Sequence, residues 1–179
     1  MSVPLKTLEI RTMGDFSLMV GERAITAEWP DETTKMLFCT LLSPLDEAIS
    51  MERLCRSLWE VPATQASMSR IAAKVEWLSD FFAKEASINP FIINQDHVGI
   101  DSRYVRIDAH EFYLHAVKGL RLMSIGNRRG ALINLHKADQ LYCGWFLPLM
   151  DNRVITTTRE NLGEIHRMVA NARCPSAGL

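Results

Sequence analysis

MSRIAAKVEWLSDFF, residues 68–82, is the clearest helical pattern in this sequence. Its apolar side chains recur every three or four positions, at Met68, Ile71, Val75, Leu78 and Phe82. This spacing predicts one buried face of an amphipathic helix. Projection of the same helix places Ala66, Ser69, Ala73, Glu76 and Asp80 on the opposite face, with Arg70, Lys74 and Trp77 at one edge.

Two shorter helices are predicted before this one. The first begins with Asp31 or Thr33 as its N-cap and stops at Ser43-Pro44. Its buried face is predicted to hold Leu37, Phe38, Leu41 and Leu42. The second begins after Ser50, its candidate N-cap, buries Met51, Leu54, Cys55 and Leu58, and ends in the pair Leu58-Trp59. We expect that pair to be buried between the second and third helices.

Strands are predicted on both sides of the three helices. Alternating apolar positions at Leu8, Ile10, Phe16, Leu18 and Val20 predict a small antiparallel meander that ends near Ile25. After the third helix, residues 91–93 and 97–100 predict a hairpin whose polar tip is Asn94-Gln95-Asp96. Residues 104–107 predict one more short strand.

From Asp108 onward, apolar residues recur with helical spacing, and Asp108 is a candidate N-cap of the first helix. Three helices are predicted there, and their expected buried residues are Phe112, Val117, Leu120, Ala131, Leu132, Leu135, Ala138, Leu141, Leu162, Ile165 and Val169. The loop 124–127 separates the first two, Gly144 and Pro148 end the second, and the third spans about 153–172. The sequence thus predicts an α+β part, residues 1–107, and an all-helical part, residues 108–179.

Composition excludes several classes of protein. The 179 residues are 47% hydrophobic and 23% charged, which excludes a disordered, collagen-like or disulfide-scaffold chain. No apolar run approaches the roughly 20 residues of a membrane span, and residues 1–6 lack the apolar segment of a signal peptide. The four cysteines lie far apart without a CxxC pair, and the three among apolar neighbours are predicted to be reduced core residues of a cytoplasmic protein.

Charge is unevenly distributed along the chain. Residues 1–107 carry eleven Lys and Arg against fifteen Asp and Glu, a net charge of −4. Residues 108–179 carry nine against six, a net charge of +3. Neither part has the strongly basic balance of a typical free-standing nucleic-acid binder.

No catalytic constellation can be read from the spacing. The stretch His110-Glu111-Phe112-Tyr113-Leu114-His115 misses the HExxH zinc pattern, because Leu114 stands where the second histidine is required. The segment 126–130, GNRRG, could cradle a phosphate, but a plain turn between two helices is the favoured interpretation. With no GxGxxG or P-loop pattern and no Ser/His/Asp or Cys/His pairing, the chain is predicted to be no enzyme and to need no cofactor or metal.

The order meander, three helices, hairpin resembles the winged helix with an N-terminal sheet of OmpR/PhoB-type effector domains. The opening LEIRTMGDFSL, residues 8–18, resembles the start of SARP-type transcriptional activators. Leu54 to Trp59 resembles the family's LxxxLW in the second helix, and MSRI, residues 68–71, resembles part of its recognition-helix pattern. The two arginines that follow in the family fall on Ala72 and Ala73 here.

The second part resembles the bacterial transcriptional activator domain, a tetratricopeptide-like helical domain that follows the winged helix in the same family. Arg106-Ile107-Asp108 with Phe112 is similar to its first motif, and Ala131 through LYCGWFLP, residues 141–148, to its later signature. We expect Leu141, Tyr142, Phe146 and Leu147 to pack across the helix pair, and Gly144 to adopt positive φ.

The resemblance implies a sequence-specific, DNA-binding transcriptional regulator. The residues that it places in or beside the DNA are Lys35, Arg53, Arg56, Ser67, Ser69, Arg70, Lys74, Asn94, Gln95 and His97. Implied partners are promoter DNA and, through the helical domain, RNA polymerase, a partner subunit or a second protomer. Because Glu76 and Asp80 lie on the predicted outer face of the third helix, the alternative is a protein-interaction module with a degenerate winged helix.

Overall fold

The computed structural model describes residues 7–43 and 48–174 of the chain. Three N-terminal strands, β1 (Leu8–Arg11), β2 (Ser17–Val20) and β3 (Arg23–Ile25), form the predicted meander. A later strand, β7 (Val105–Ile107), joins the other edge of β1 in parallel, so the sheet order is β3-β2-β1-β7. The alternation of Leu8, Ile10 and Leu18 turns one face of this sheet toward the core.

Three helices follow the meander, each opened by a polar cap. Helix α1 (Glu32–Leu41) begins at Asp31, whose carboxylate accepts from the Thr34 amide at 2.7 Å. Helix α2 (Met51–Trp59) is capped by Ser50, and helix α3 (Gln65–Ala86) by Thr64. These bounds confirm the three predicted helices. The predicted stop at Pro44 lies outside the described residues.

The hairpin consists of β5 (Phe91–Asn94) and β6 (His97–Ile100), and it confirms the sequence-based prediction. A short strand that the sequence did not reveal, β4 (Ile49–Ser50), pairs with β6 to make the order β4-β6-β5. Phe38 of α1 lies within an aromatic cluster that connects these layers. Its ring is 5.2 Å from that of Phe82 and 6.2 Å from that of Phe91, centroid to centroid.

The remaining chain is helical: α4 (Asp108–Ser124), α5 (Arg128–Leu141) and α6 (Arg153–Arg173). GNRRG is the turn between α4 and α5, where Gly126 has φ +82° and Asn127 caps α5 by accepting from the Gly130 amide. The architecture is therefore α+β, a sheet and winged helix followed by a helical part. Buried apolar side chains from both parts form one contiguous core.

Asp108 has a different role from the predicted helix cap. Its carboxylate accepts from the Thr12 amide at 2.8 Å, the Thr12 hydroxyl at 2.5 Å and the Met13 amide at 3.0 Å. Ile107 stands at the N-cap position of α4 instead, with no side-chain cap. Asp108 therefore binds the helical part to the end of β1, which sequence spacing could not reveal because 96 residues separate it from Thr12.

The turn after α5 completes the same junction. The Leu147 amide donates to the Thr12 carbonyl at 2.7 Å, and the Gly14 amide donates to the Trp145 carbonyl at 3.0 Å. Phe146 and Leu147 are buried, and the half-buried Leu141 and Tyr142 also pack against the core, as predicted. The boundary between residues 107 and 108 stays a prediction, and these backbone bonds join the segments on either side of it.

The prediction of positive φ at Gly144 was wrong. The positive φ in this turn belongs to Leu147, at 40°. Gly144 is needed for a close approach, because a Cβ there would lie 3.0 Å from the Gly14 Cα atom. The glycine thus serves backbone packing between the two parts rather than a left-handed turn.

Several predicted core residues are less buried than expected. Leu58 and Trp59 are half-buried, and Val117 and Leu132 are exposed, while Ala116 and Gly119 take inner positions of α4. The reason is that α4 and α5 approach closely through small residues. A Cβ at Gly119 would come within 2.7 Å of the Leu135 side chain.

The cysteines divide into two pairs. Cys39 and Cys55 are buried, and burial raises the pKa of the Cys39 thiol to about 12. Cys143 and Cys174 are exposed, so two cysteines lie in the core rather than the predicted three. All four are free thiols.

Candidate nucleic-acid interface

Helices α2 and α3 form a helix-turn-helix, with the hairpin held beside it. Glu60 ends α2 in a left-handed conformation, with φ 57°, and α3 starts five residues later at Gln65. The Met51 amide in the first turn of α2 donates to the Asp96 carbonyl in the hairpin tip at 2.7 Å. Together with the pairing of β4 and β6, this bond fixes the tip next to the start of α2.

The outer face of α3 agrees with the helical projection. The predicted outward residues are all exposed: Ala66, Ser69, Ala73, Glu76 and Asp80. The buried side holds Ile71, Val75, Leu78 and Phe82, with Met68 half-buried. The outward set carries two carboxylates and no cation, so any attraction to phosphate must come from side chains at its edges.

Arg70 occupies one such edge. Its guanidinium carbon lies 4.2 Å from the centroid of the Trp59 ring, in a cation–π contact. The side chain of Arg70 remains exposed while Trp59 is half-buried. The contact therefore connects α3 to the end of α2 and positions a cation at the surface beside the outer face.

Lys74 is paired within the protein. Its Nζ atom donates to both carboxylate oxygens of Asp31, at 2.9 and 2.7 Å, and to the Thr34 hydroxyl at 3.1 Å. The hydrogen bond from Lys74 lowers the pKa of Asp31 below its usual range. Arg70 and Lys74 meet at a groove of about 350 Å³ between the start of α1 and α3, lined also by Pro30, Ala73 and Trp77.

The cations of α2 face a second, larger space. Arg53 and Arg56 line a cleft of about 940 Å³ between α2 and the start of α6, with Trp59 and Arg153 among its other walls. Arg56 pairs with Glu52 at 2.7 Å, while Arg53 forms no ion pair among the described residues. Lys35 is half-buried on α1. The structure therefore brings these arginines together with α6, an arrangement absent from the sequence-based prediction.

Ser67 takes part in the capping box at the start of α3. It is buried, its hydroxyl accepts from the Thr64 amide at 2.8 Å, and its own amide donates to the Thr64 hydroxyl at 3.2 Å. Because Ser67 is buried and its hydroxyl takes part in this capping box, we do not expect it to reach a base edge. Ser69, Asn94, Gln95 and His97 are exposed, and their contact with DNA stays a prediction.

Sequence reasoning missed the partners of these cations. Asp31 was visible as a helix cap but not as the partner of Lys74, since 43 residues separate the two. The sequence predicted Trp59 as an apolar residue at the end of α2. Its contact with Arg70 could not be predicted, because the two residues lie on different helices. In the described ranges, no helix is both long and apolar enough to cross a membrane.

Comparisons with known proteins show the fold. No protein-family model and no curated protein matches the sequence. Among solved structures, the chain is similar to Mycobacterium tuberculosis EmbR, determined in complex with a low-affinity phosphopeptide, with a TM-score of 0.74 and 15% identity. The match covers 94% of this chain and 45% of the EmbR chain, so this chain spans less than half the length of that protein. At this identity the likeness shows the fold alone, a winged helix with an N-terminal sheet followed by a helical part.

Proposed function

We propose that this chain is a cytoplasmic, DNA-binding transcriptional regulator of the SARP type. The observation that carries the proposal is the fold: nearly the whole chain superposes on EmbR, a SARP-family regulator. The helix-turn-helix of α2 and α3, with a hairpin fixed beside it, is the arrangement expected of a winged-helix reader of the major groove. A regulatory, non-catalytic role agrees with this fold.

In the proposed complex, the N-terminal half of α3 enters the major groove. Ser69 and Arg70 are exposed there, ahead of Glu76 and Asp80 along the helix. The hairpin tip, with Asn94, Gln95 and His97, contacts the neighbouring backbone or minor groove. Lys35, Arg53 and Arg56 contribute phosphate contacts, and Lys74 does so only if it leaves Asp31. The helical part then presents a surface to RNA polymerase, a partner subunit or a second protomer.

One observation favours a second candidate, a protein-interaction module. Two of the proposed DNA-contacting cations, Arg56 and Lys74, are already paired with carboxylates, and Glu76 and Asp80 are exposed. Such a face repels phosphate within a Debye length of about 8–10 Å. The two candidates differ in whether the chain binds duplex DNA at all.

Fluorescence anisotropy with labelled duplexes separates the candidates. We expect wild type to bind a duplex from its own upstream region, and Arg70→Ala to weaken that binding at least about tenfold. Lys84→Ala, which removes an exposed cation from the last turn of the same helix, is the matched control and should change affinity less than about threefold. Glu76→Gln and Asp80→Asn should each tighten binding about two- to fivefold.

Two outcomes of this experiment would contradict the proposal. No binding by wild type, Glu76→Gln or Asp80→Asn at low salt and micromolar protein overturns DNA binding in favour of the interaction module. Equal losses in Arg70→Ala and Lys84→Ala would contradict the placement of α3 in the groove.

A further inference from the structure

The stretch between Glu111 and Asp139 contains no acidic residue. It includes most of α4 and α5, and its Lys and Arg residues are Lys118, Arg121, Arg128, Arg129 and Lys137. All of these are exposed, and none forms an ion pair within the part of the chain that the structure describes. The two helices therefore present a surface whose positive charge is not neutralised by neighbouring side chains.

Large apolar side chains alternate with these cations at helical spacing. On α4 and its C-cap residue, the exposed side chains Leu114, Lys118, Arg121 and Ile125 stand four, three and four positions apart, which puts them on one face. On α5, Arg129, Ile133 and Lys137 repeat every four positions and are also exposed. Leu114, Ile125 and Ile133 retain 55%, 69% and 52% of their accessible surface. We call these seven residues the α4–α5 ridge pair.

Both rows lie on the same side of the antiparallel helices. His115 Nδ1 and Asn134 Oδ1 lie 3.2 Å apart in a hydrogen bond between α4 and α5. Leu114 directly precedes His115 on α4, and Ile133 directly precedes Asn134 on α5. Because the two right-handed helices run antiparallel, the residue just before each contact residue projects to the same side of the plane that contains both helix axes. The ridge pair therefore forms one surface.

Helix α6 covers the opposite side. There the His166 ring stacks on Tyr142, with centroids 3.8 Å apart, and the ring of Phe112 lies 6.4 Å from it. Asp139 faces the same helix, because its carboxylate pairs with Arg173 and lies 3.7 Å from His166. The inner face of the helix pair is thus occupied, whereas the side with the ridge pair has no helix packed on it among the described elements.

We propose that the α4–α5 ridge pair binds an acidic amphipathic segment of another protein. The charge complementarity is specific: each cation of the ridge pair lies within one helical turn of an exposed aliphatic side chain. A partner helix with carboxylates flanking an apolar stripe satisfies both at once. A nucleic-acid phosphate backbone would leave Leu114, Ile125 and Ile133 in contact with charge, so an acidic protein segment is the better match. This inference does not depend on whether α3 binds DNA.

The test uses the full chain and a designed probe. The probe is a fluorescein-labelled peptide of about 20 residues that places Leu on one helical face and Glu on both flanks. We expect binding with a Kd of about 1–50 μM at about 0.05 M salt, weakened at least about fivefold at about 0.5 M. A peptide of the same pattern with Lys in place of Glu should not bind.

Variants locate the binding surface. The double variant Lys118→Glu/Arg121→Glu and the single variant Ile133→Ser should each weaken peptide binding at least about tenfold. All three positions are exposed, and circular dichroism and the melting temperature of each variant verify that the fold is retained. Arg167→Glu/Met168→Ser changes an exposed cation and an exposed apolar residue on α6, and this matched control should bind like wild type.

Three results overturn the proposal. The first is absence of peptide binding at low salt. The second is equal weakening by the ridge-pair variants and by the α6 control, which would mean that net charge alone attracts the peptide. The third is binding of a random duplex or of phosphatidylglycerol vesicles that falls with the ridge-pair variants while the peptide does not bind. That result would assign the surface to nucleic acid or to a membrane.

Discussion

Lys74 and Asp31 illustrate how one ion pair connects two elements of the winged helix. The Asp31 carboxylate caps α1 and accepts from Lys74 of α3, and the hydrogen bond from Lys74 holds its pKa below the ordinary value of 3.8. Folding therefore favours the ionised carboxylate. A stabilising contribution of this kind is present above the unfolded pKa and is lost as pH falls through the lower folded pKa.

Asp31→Asn tests this contribution, because the amide retains an oxygen for the cap but loses the charge. At pH 7 the variant should be less stable than wild type by about 0.5–1 kcal/mol, a small value because the carboxylate is 48% exposed to screening solvent. The deficit should vanish between about pH 4 and pH 2. Urea unfolding at several pH values measures it. Asp15→Asn, at an exposed position, should change the free energy of unfolding at pH 7 by less than about 0.5 kcal/mol, and an Asp31→Asn deficit that persists at pH 2 would contradict the assignment.

Gly144 shows a steric requirement where the turn signature suggested a conformational one. A Cβ at this position meets the Gly14 backbone at 3.0 Å, and backbone has little freedom to move away. We expect Gly144→Ala to lower the free energy of unfolding by about 1–3 kcal/mol. Gly163→Ala is the matched control within α6, where an added Cβ makes only ordinary 3.9 Å contacts and should stabilise the helix by up to about 1 kcal/mol. Thermal melts that rank the two variants in the reverse order would contradict the close-approach explanation.

At the scale of elements, the contact between α2 and α3 depends on a half-buried tryptophan. Trp59 packs against the core on one side and against the Arg70 guanidinium on the other. A fully buried ring would cost about 3–5 kcal/mol on truncation. Because part of the ring is exposed, Trp59→Ala should cost about 1–3 kcal/mol.

Trp145→Ala is the control for the tryptophan substitution, since Trp145 is 60% exposed. We expect it to change the unfolding free energy by less than about 1 kcal/mol in the same denaturant titration. A Trp59 loss no larger than the Trp145 loss would show that Trp59 does not hold α2 on α3.

The elements that could be predicted from the sequence are those that local spacing determines. The buried stripe of α3, the caps at Asp31 and Ser50, and the hairpin all depend on residues within a few positions of each other. The parallel pairing of β7 with β1 and the contact of Asp108 with Thr12 could not be predicted, because they join distant segments. The helical spacing of apolar residues predicted Val117 and Leu132 to be buried, whereas both are exposed, because the small residues Ala116 and Gly119 take the inner positions of α4.

The candidate site also has features that local spacing predicts and features that depend on tertiary contacts. Helical periodicity predicted which residues of α3 face outward, including Glu76 and Asp80, and it placed Arg70 and Lys74 at the edge of that face. Whether a cation on that helix is already paired depends on tertiary neighbours. The sequence therefore could not separate Lys74, bound to Asp31, from Arg70, which stays exposed over Trp59.

At the scale of the whole molecule, the two parts of the chain share a core and differ in charge. Residues 1–107 carry −4 and residues 108–179 carry +3. In the proposed DNA complex, the duplex is attracted by a few cations near α3 and the hairpin, while residues 1–107 as a whole carry a negative charge. The α4–α5 ridge pair is positively charged and lies in the helical part, so the proposed DNA and protein contacts use separate surfaces of the chain.

A salt titration of duplex binding tests the central claim most directly. With about three to five phosphate contacts per protomer, the slope of log affinity against log salt concentration should be about −3 to −5 for wild type. Arg70→Ala should reduce the magnitude of that slope by about one if Arg70 touches phosphate, or weaken cognate binding more than random binding if it touches bases. A slope near zero, or a slope and specificity unchanged by Arg70→Ala, would contradict DNA binding through α3.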